Sequence, residues 1–196
     1  MTPRILGAVA VAVAAALAAT ATPANAALDT SSLNPPPPDW YTCEVTGSGA
    51  SCRGKQTFTY TGGDDGSCPQ GFDILEDGIK YETARRDYDR DGNLVHRYLH
   101  DNWPNDPGNV LYNSVTGSSV HYIAHGSELD TFLVPGDFDS MMAETYGNGY
   151  TVTGPGGLLV KDAGVLTFGP DGDVLAIHGP KMLFTGATQA LCAALA

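Results

Sequence analysis

Between residues 71 and 178 the chain cannot hold a regular element for long before turn chemistry interrupts it. Asp89-Arg-Asp-Gly-Asn93, Trp103-Pro-Asn-Asp-Pro-Gly108, Asn113-Ser-Val-Thr-Gly117, Pro135-Gly-Asp137, Gly154-Pro-Gly-Gly157 and Gly169-Pro-Asp-Gly172 recur at short, fairly even intervals. The stretches between them alternate apolar and polar residues with a period of two. That pattern predicts short strands joined by tight turns, with no room for helical crossovers, and so an antiparallel meander. The expected strands cover 72–77, 79–88, 94–101, 109–112, 118–125, 127–134, 141–146, 150–153, 158–162, 165–168 and 174–178. Only 187–195 reads as helix. The fold class is therefore all-β: an antiparallel meander closed or nearly closed into a single barrel, which best removes exposed strand edges, with a short C-terminal helix.

Upstream, residues 1–26 have the grammar of a secretory signal. Arg4 precedes an apolar run over 5–19, and Ala24-Asn25-Ala26 offers the small-x-small pattern that a signal peptidase reads. As a helix the run reaches about 22 Å, short of the roughly 30 Å hydrocarbon core. Cleavage there gives a secreted, extracellular protein with no stable membrane insertion. Residues 27–38 contain Pro35-Pro-Pro-Pro38 and read as a stiff arm or spacer. Residues 39–67 form an N-terminal extension with one strand at 55–61 and a loop at 62–67, and the barrel domain occupies 68–196.

Export puts Cys43, Cys52, Cys68 and Cys192 where disulfides are the default. Spacing alone leaves the pairing open. The arrangement expected here is Cys43–Cys52, closing a short hairpin-like loop, and Cys68–Cys192, tying the start of the barrel to the C-terminus. No C-x-x-C supports zinc. A net charge of −12 argues against nucleic acid as a partner, because phosphate binding needs many cations. It also keeps such a chain soluble, and a monomer is expected.

Chemistry is harder to find. Asp87-Tyr-Asp89-Arg-Asp91-Gly92 opens like a calcium loop, but its twelfth position is Tyr98 and its flanks are strands, so a hairpin turn is the reading preferred to a metal site at Asp87, Asp89 and Asp91. His96 and His100 share one strand face, as do His121 and His125, but such pairs lie about 13 Å apart. If a catalytic centre exists, the residues to inspect are His100, His125 and His178, with Tyr81 and Asp162 as interior polar partners. No nucleophile elbow, P-loop or dinucleotide fingerprint occurs, and no cofactor is expected. Trp40, Trp103, Tyr122, Phe132 and Met141-Met142 are the apolar residues most able to line a pocket.

Cys68 before the first barrel strand, Asp91-Gly-Asn-Leu-Val95 followed by His100, Asn113-Ser-Val-Thr-Gly-Ser118, Asp162-Ala-Gly164, Asp171-Gly-Asp-Val174 leading to His178-Gly-Pro180, and the tail Cys192-Ala-Ala-Leu195 resemble a set of small secreted bacterial β-barrel proteins of unknown function. The resemblance covers about Cys68 to the C-terminus. It supplies no catalytic residues. In that set a His at the places of His100 and His178 is common, while His96, His121 and His125 look particular to this chain. The shape it implies is similar to lipocalin-like and allene-oxide-cyclase-like barrels, an analogy of fold alone. The expected function is a non-catalytic module binding a small, partly apolar ligand. A cofactor-free isomerase, cyclase or hydrolase using interior His and Tyr, and an extracellular structural or interaction protein, are the alternatives.

Overall fold

The computed structural model describes residues 28–180 and 188–196; the signal-like segment 1–26 lies outside them. Among the described residues nine strands form one antiparallel sheet: β1 (Tyr41–Thr46), β2 (Gly49–Cys68), β3 (Phe72–Tyr88), β4 (Leu94–Trp103), β5 (Val110–Asn113), β6 (Ser119–Phe132), β7 (Met141–Gly154), β8 (Gly157–Phe168) and β9 (Val174–His178). The order is β1-β2-β3-β4-β6-β7-β8-β9. β5 shares the lane of β4, since both pair with β3 and β6. The meander curls into a barrel that is nearly closed: β1 and β9 are its edges. A short helix, α1 (Thr188–Leu195), packs on β2, β6 and β8 and is bonded to β2 by the Cys68–Cys192 disulfide.

The strands are longer than the turn grammar suggests. Glycines expected to end strands instead sit inside them: β6, β7 and β8 each merge two expected segments. β2 likewise runs through residues 62–67, expected as a loop. It pairs with β3 along that length by absorbing bulges after Tyr60 and after Asp64. Gly62 and Gly66 supply the positive φ angles that bulges exploit. Residues 39–67 are thus part of the same sheet. Both disulfides match the expected pairing, with Cys43 and Cys52 directly opposite each other on β1 and β2.

Two apolar cores occupy the two ends of the core face. Phe72, Ile74, Leu111, Val120, Tyr122, Val152 and Val160 gather beneath Leu191 and Leu195 of α1. Leu33, Tyr88, Leu94 and Phe132 form the other core. Leu33 brings the Pro-rich arm into it. Asn34 exchanges backbone bonds with Gly92 and Leu94, and Tyr88 donates to the Pro35 carbonyl at 3.0 Å. The arm is therefore fastened across the barrel end.

Candidate functional site

Between the two cores the core face turns polar, and strand register explains how. Phe72, Ile74, Ala84 and Tyr88 of β3 are buried, so the intervening even positions, including Glu76, Lys80, Glu82 and Arg86, share their side of the pleat. Residues directly opposite on neighbouring strands share a face. Three rows then cross the middle of the sheet: Arg86–Arg97–Asp130–Ala143–Phe168, Ala84–Leu99–Glu128–Thr145–Leu166 and Glu82–Asp101–Gly126–Gly147–Gly164. The last row ends in three glycines that add no side chain, which leaves open space beside Asp101 and Glu128.

That space is a cleft of about 380 Å³. Trp103, Tyr150, Leu166 and Phe168 supply apolar walls, and Asp101, Glu128 and Asp162 supply carboxylates. Among the described residues, no Lys or Arg lines it. Behind the wall, Lys80 pairs with Glu82 at 2.9 Å and with Asp101 at 3.4 Å, and it lies over the rings of Phe58 and Trp103. Arg97 pairs with Asp130 and, at 3.1 Å, with Glu128. Two cations therefore face four carboxylates, and the excess negative charge sits in a half-dry place. Burial, together with the charge of Asp130, pushes the Glu128 carboxyl up to about 7 against the pull of Arg97. Burial also raises Asp101, with Lys80 opposing and Glu82 adding to the rise.

At one end of the cleft the polar belt meets a phenol hub. Tyr60 donates to the buried Glu76 at 2.7 Å and accepts from the Trp103 indole at 2.5 Å. Tyr122 lies 2.9 Å from the same hydroxyl, and with the Tyr60 proton committed to Glu76 it is the donor. Tyr150 completes the group at 3.4 Å from Glu76. Burial, reinforced by the neighbouring carboxylate, drives Tyr122 well above its ordinary value and Tyr60 up to about 12, so these phenols stay protonated. Gly78 makes the hub possible: a Cβ there would meet the Tyr122 and Tyr60 hydroxyls at 2.5 and 2.9 Å.

No family model, curated protein or solved structure matches this chain.

Of the residues singled out in the sequence, Asp162 is buried and lines the cleft, packed under Gly149. His125 lies at the cleft rim and is exposed. His100 and His178 are also exposed, and Tyr81 is 48% exposed on the outer face. The pairings His100–Ser127–Tyr146–Val165–His178 set the two end histidines four lanes apart, about 19 Å. His178 is therefore not brought to His100, whereas His125, two residues from Ser127 on β6, is the diagonal neighbour of His100 on the adjacent strand. Asp87 is occupied by Arg85 and Ser51, and Asp89 accepts from the Asp91 and Asn93 amides, which is the work of a turn. The residues missed in the sequence are Asp101, Glu128, Lys80, Arg97 and Tyr150. The apolar residues Phe72, Ile74, Ala84 and Tyr88, all at even positions on either side of Gly78, were the signal that could have placed the first charges inside.

Proposed function

We propose that the protein is a secreted, non-catalytic binding module whose cleft holds a small, partly apolar ligand carrying a protonated amine. The observation that carries the reading is the cleft itself: an aromatic and aliphatic wall with three carboxylates and no lining Lys or Arg among the described residues. Its volume falls in the lower range of small-molecule sites. Trp103 and Tyr150 offer ring faces to a cation, and carboxylates answer its N–H groups. A cationic ligand also answers the carboxylates of Glu128 and Asp101, which burial, with the neighbouring carboxylates, pushes upward. Two disulfides fit an oxidising compartment, and among the described residues no helix is long and apolar enough to cross a membrane.

The test is calorimetric titration of the full mature chain with 2-phenylethylamine and its neutral isostere 2-phenylethanol. The amine is expected to bind at pH 8 and the alcohol to bind about tenfold more weakly or worse. Gly126→Leu puts a side chain at the cleft, where a Cβ at 126 finds its nearest atom, the Tyr146 carbonyl oxygen, at the ordinary contact distance of 3.5 Å. This variant is expected to fold and to lose the amine. Equal binding of amine and alcohol, or undiminished binding by the filled variant, overturns the assignment.

A further inference from the structure

The opposite face of the same sheet carries a second, larger depression of about 610 Å³. Two adjacent rows of paired residues run along it. One passes from Arg53 through Arg85 to Tyr98, and the other from Lys55 through His100 and Ser127 to Tyr146. The second row crosses five strands, about 19 Å at the usual lane spacing. The depression is an elongated groove, shaped for a chain lying across the strands rather than for a compact molecule.

Its recognition groups are held in place. The Trp40 ring packs against Gly54, where a Cβ would come within 2.4 Å of ring carbon, and the residue lines the groove. Arg85 is gripped by Asp87, its Nε donating to Oδ1 at 2.9 Å and its Nη2 to Oδ2, and its guanidinium lies 4.9 Å over the Tyr98 ring. His100 Nδ1 and Ser127 Oγ stand 3.0 Å apart. Preorganised groups of this kind lose little freedom when a ligand arrives.

The charge of the groove opposes that of the chain. Arg53, Lys55 and Arg85 line it, and among the described residues no Asp or Glu does. Three of ten basic side chains thus converge on one groove in a protein with 22 acidic ones. Arg53 also approaches Glu44 at 3.8 Å, but both side chains are about two-thirds exposed and such a pair holds weakly.

We propose that this groove binds a carboxylated oligosaccharide, a short chain of uronic-acid sugars. Indole and phenol faces stack on the apolar faces of sugar rings, the exposed Arg53 and Lys55 pair with ring carboxylates while Arg85 stays with Asp87, and His100 and Ser127 exchange hydrogen bonds with hydroxyls. Single-stranded nucleic acid would use the same stacking and meet the same net charge of −12; the His100 and Ser127 hydrogen-bonding pair matches the hydroxyl-rich sugar, and oligothymidylate binding is an outcome of the test. The groove and the amine cleft share Ser127 and Tyr146 in their linings, so the discriminating variants lie elsewhere.

Calorimetry of the mature chain with oligogalacturonate, its neutral methyl ester and oligothymidylate decides the matter. Oligogalacturonate is expected to bind, with affinity falling as salt rises, and the ester to bind at least about tenfold more weakly. The exposed pair Arg53→Glu with Lys55→Glu is expected to lose about tenfold or more at an unchanged melting temperature, while Gly126→Leu leaves this binding intact. Absence of oligogalacturonate binding, equal affinity for the ester, tighter binding of oligothymidylate, or full binding by the double charge-reversal variant each overturns the proposal.

Discussion

Glu128→Gln offers the sharpest test of the charged belt. The carboxyl of Glu128 has an ordinary value of 4.5 and stands at about 7 in the folded protein, because it is half-buried beside Asp130. The folded state therefore holds this proton more tightly than the unfolded state does. The associated stabilisation is complete below about pH 4.5 and is lost as the pH climbs through 7. At about 1.4 kcal/mol per pH unit the gap sets a ceiling of about 3 kcal/mol. The side chain is 30% exposed, so water screens part of the interaction, and about 1–2 kcal/mol is the expected size. Gln keeps the shape and the acceptor facing Arg97 but cannot ionise. Urea unfolding followed by circular dichroism, with disulfides intact, should give equal stabilities for parent and variant at pH 4. At pH 8 the variant should be more stable by that 1–2 kcal/mol. A variant less stable than the parent at pH 8 would mean that Arg97 attracts the carboxylate more than burial and Asp130 oppose it, and the account of the belt would be wrong in sign.

Two further outcomes test the scaffold. Replacing Cys68 and Cys192 by Ala removes a link across 124 residues and should cost about 4–5 kcal/mol in the chain-entropy description, read as a fall in the urea midpoint. Gly78→Ala, which strand propensity alone would favour, should instead destabilise by about 1–3 kcal/mol because its Cβ would press on the Tyr122 and Tyr60 hydroxyls. A neutral or stabilising effect would show that the phenol hub yields without loss.

The fold was legible because turn residues and period-two alternation are local signals, and each strand writes its own. What alternation conveys poorly is which face is inward once a strand carries a glycine in its middle. Treating Gly78 as a break restarts the pattern at Ile79 and places Ile79, Tyr81 and Thr83 together as an apolar face, with Lys80, Glu82 and Arg86 outward. In β3 the pleat runs straight through Gly78, so Tyr81 is exposed and Lys80 and Glu82 lie on the core side. A one-residue slip inverts every side chain, and here it hid the ionic half of the site. The inversion is affordable only because the opposite strands answer it: Asp101, Arg97, Glu128 and Asp130 arrive on the same face through register with β4 and β6. No single segment contains that information.

The same logic explains why the cleft exists at all. Gly126, Gly147 and Gly164 each resemble a turn when read alone, and each falls in a gap between the expected short strands. Paired edge to edge, they form one row with Asp101 at its end. A Cβ on Gly147 would sit 3.0 Å from the Gly126 Cα, and one on Gly164 would sit 2.0 Å from the His178 carbonyl oxygen, so two of the three positions bar side chains by backbone approach. Gly126 alone has room for one. The row thus holds strands close while leaving the interior unfilled, and the position that tolerates a side chain borders the cleft. If the cleft serves a ligand, Gly126 is retained for the space it leaves rather than for the backbone it permits. Gly126→Leu should then raise stability by burying apolar surface while abolishing amine binding. Loss of stability in that variant would instead show that the glycine serves the backbone, and the cleft would be a by-product of strand packing.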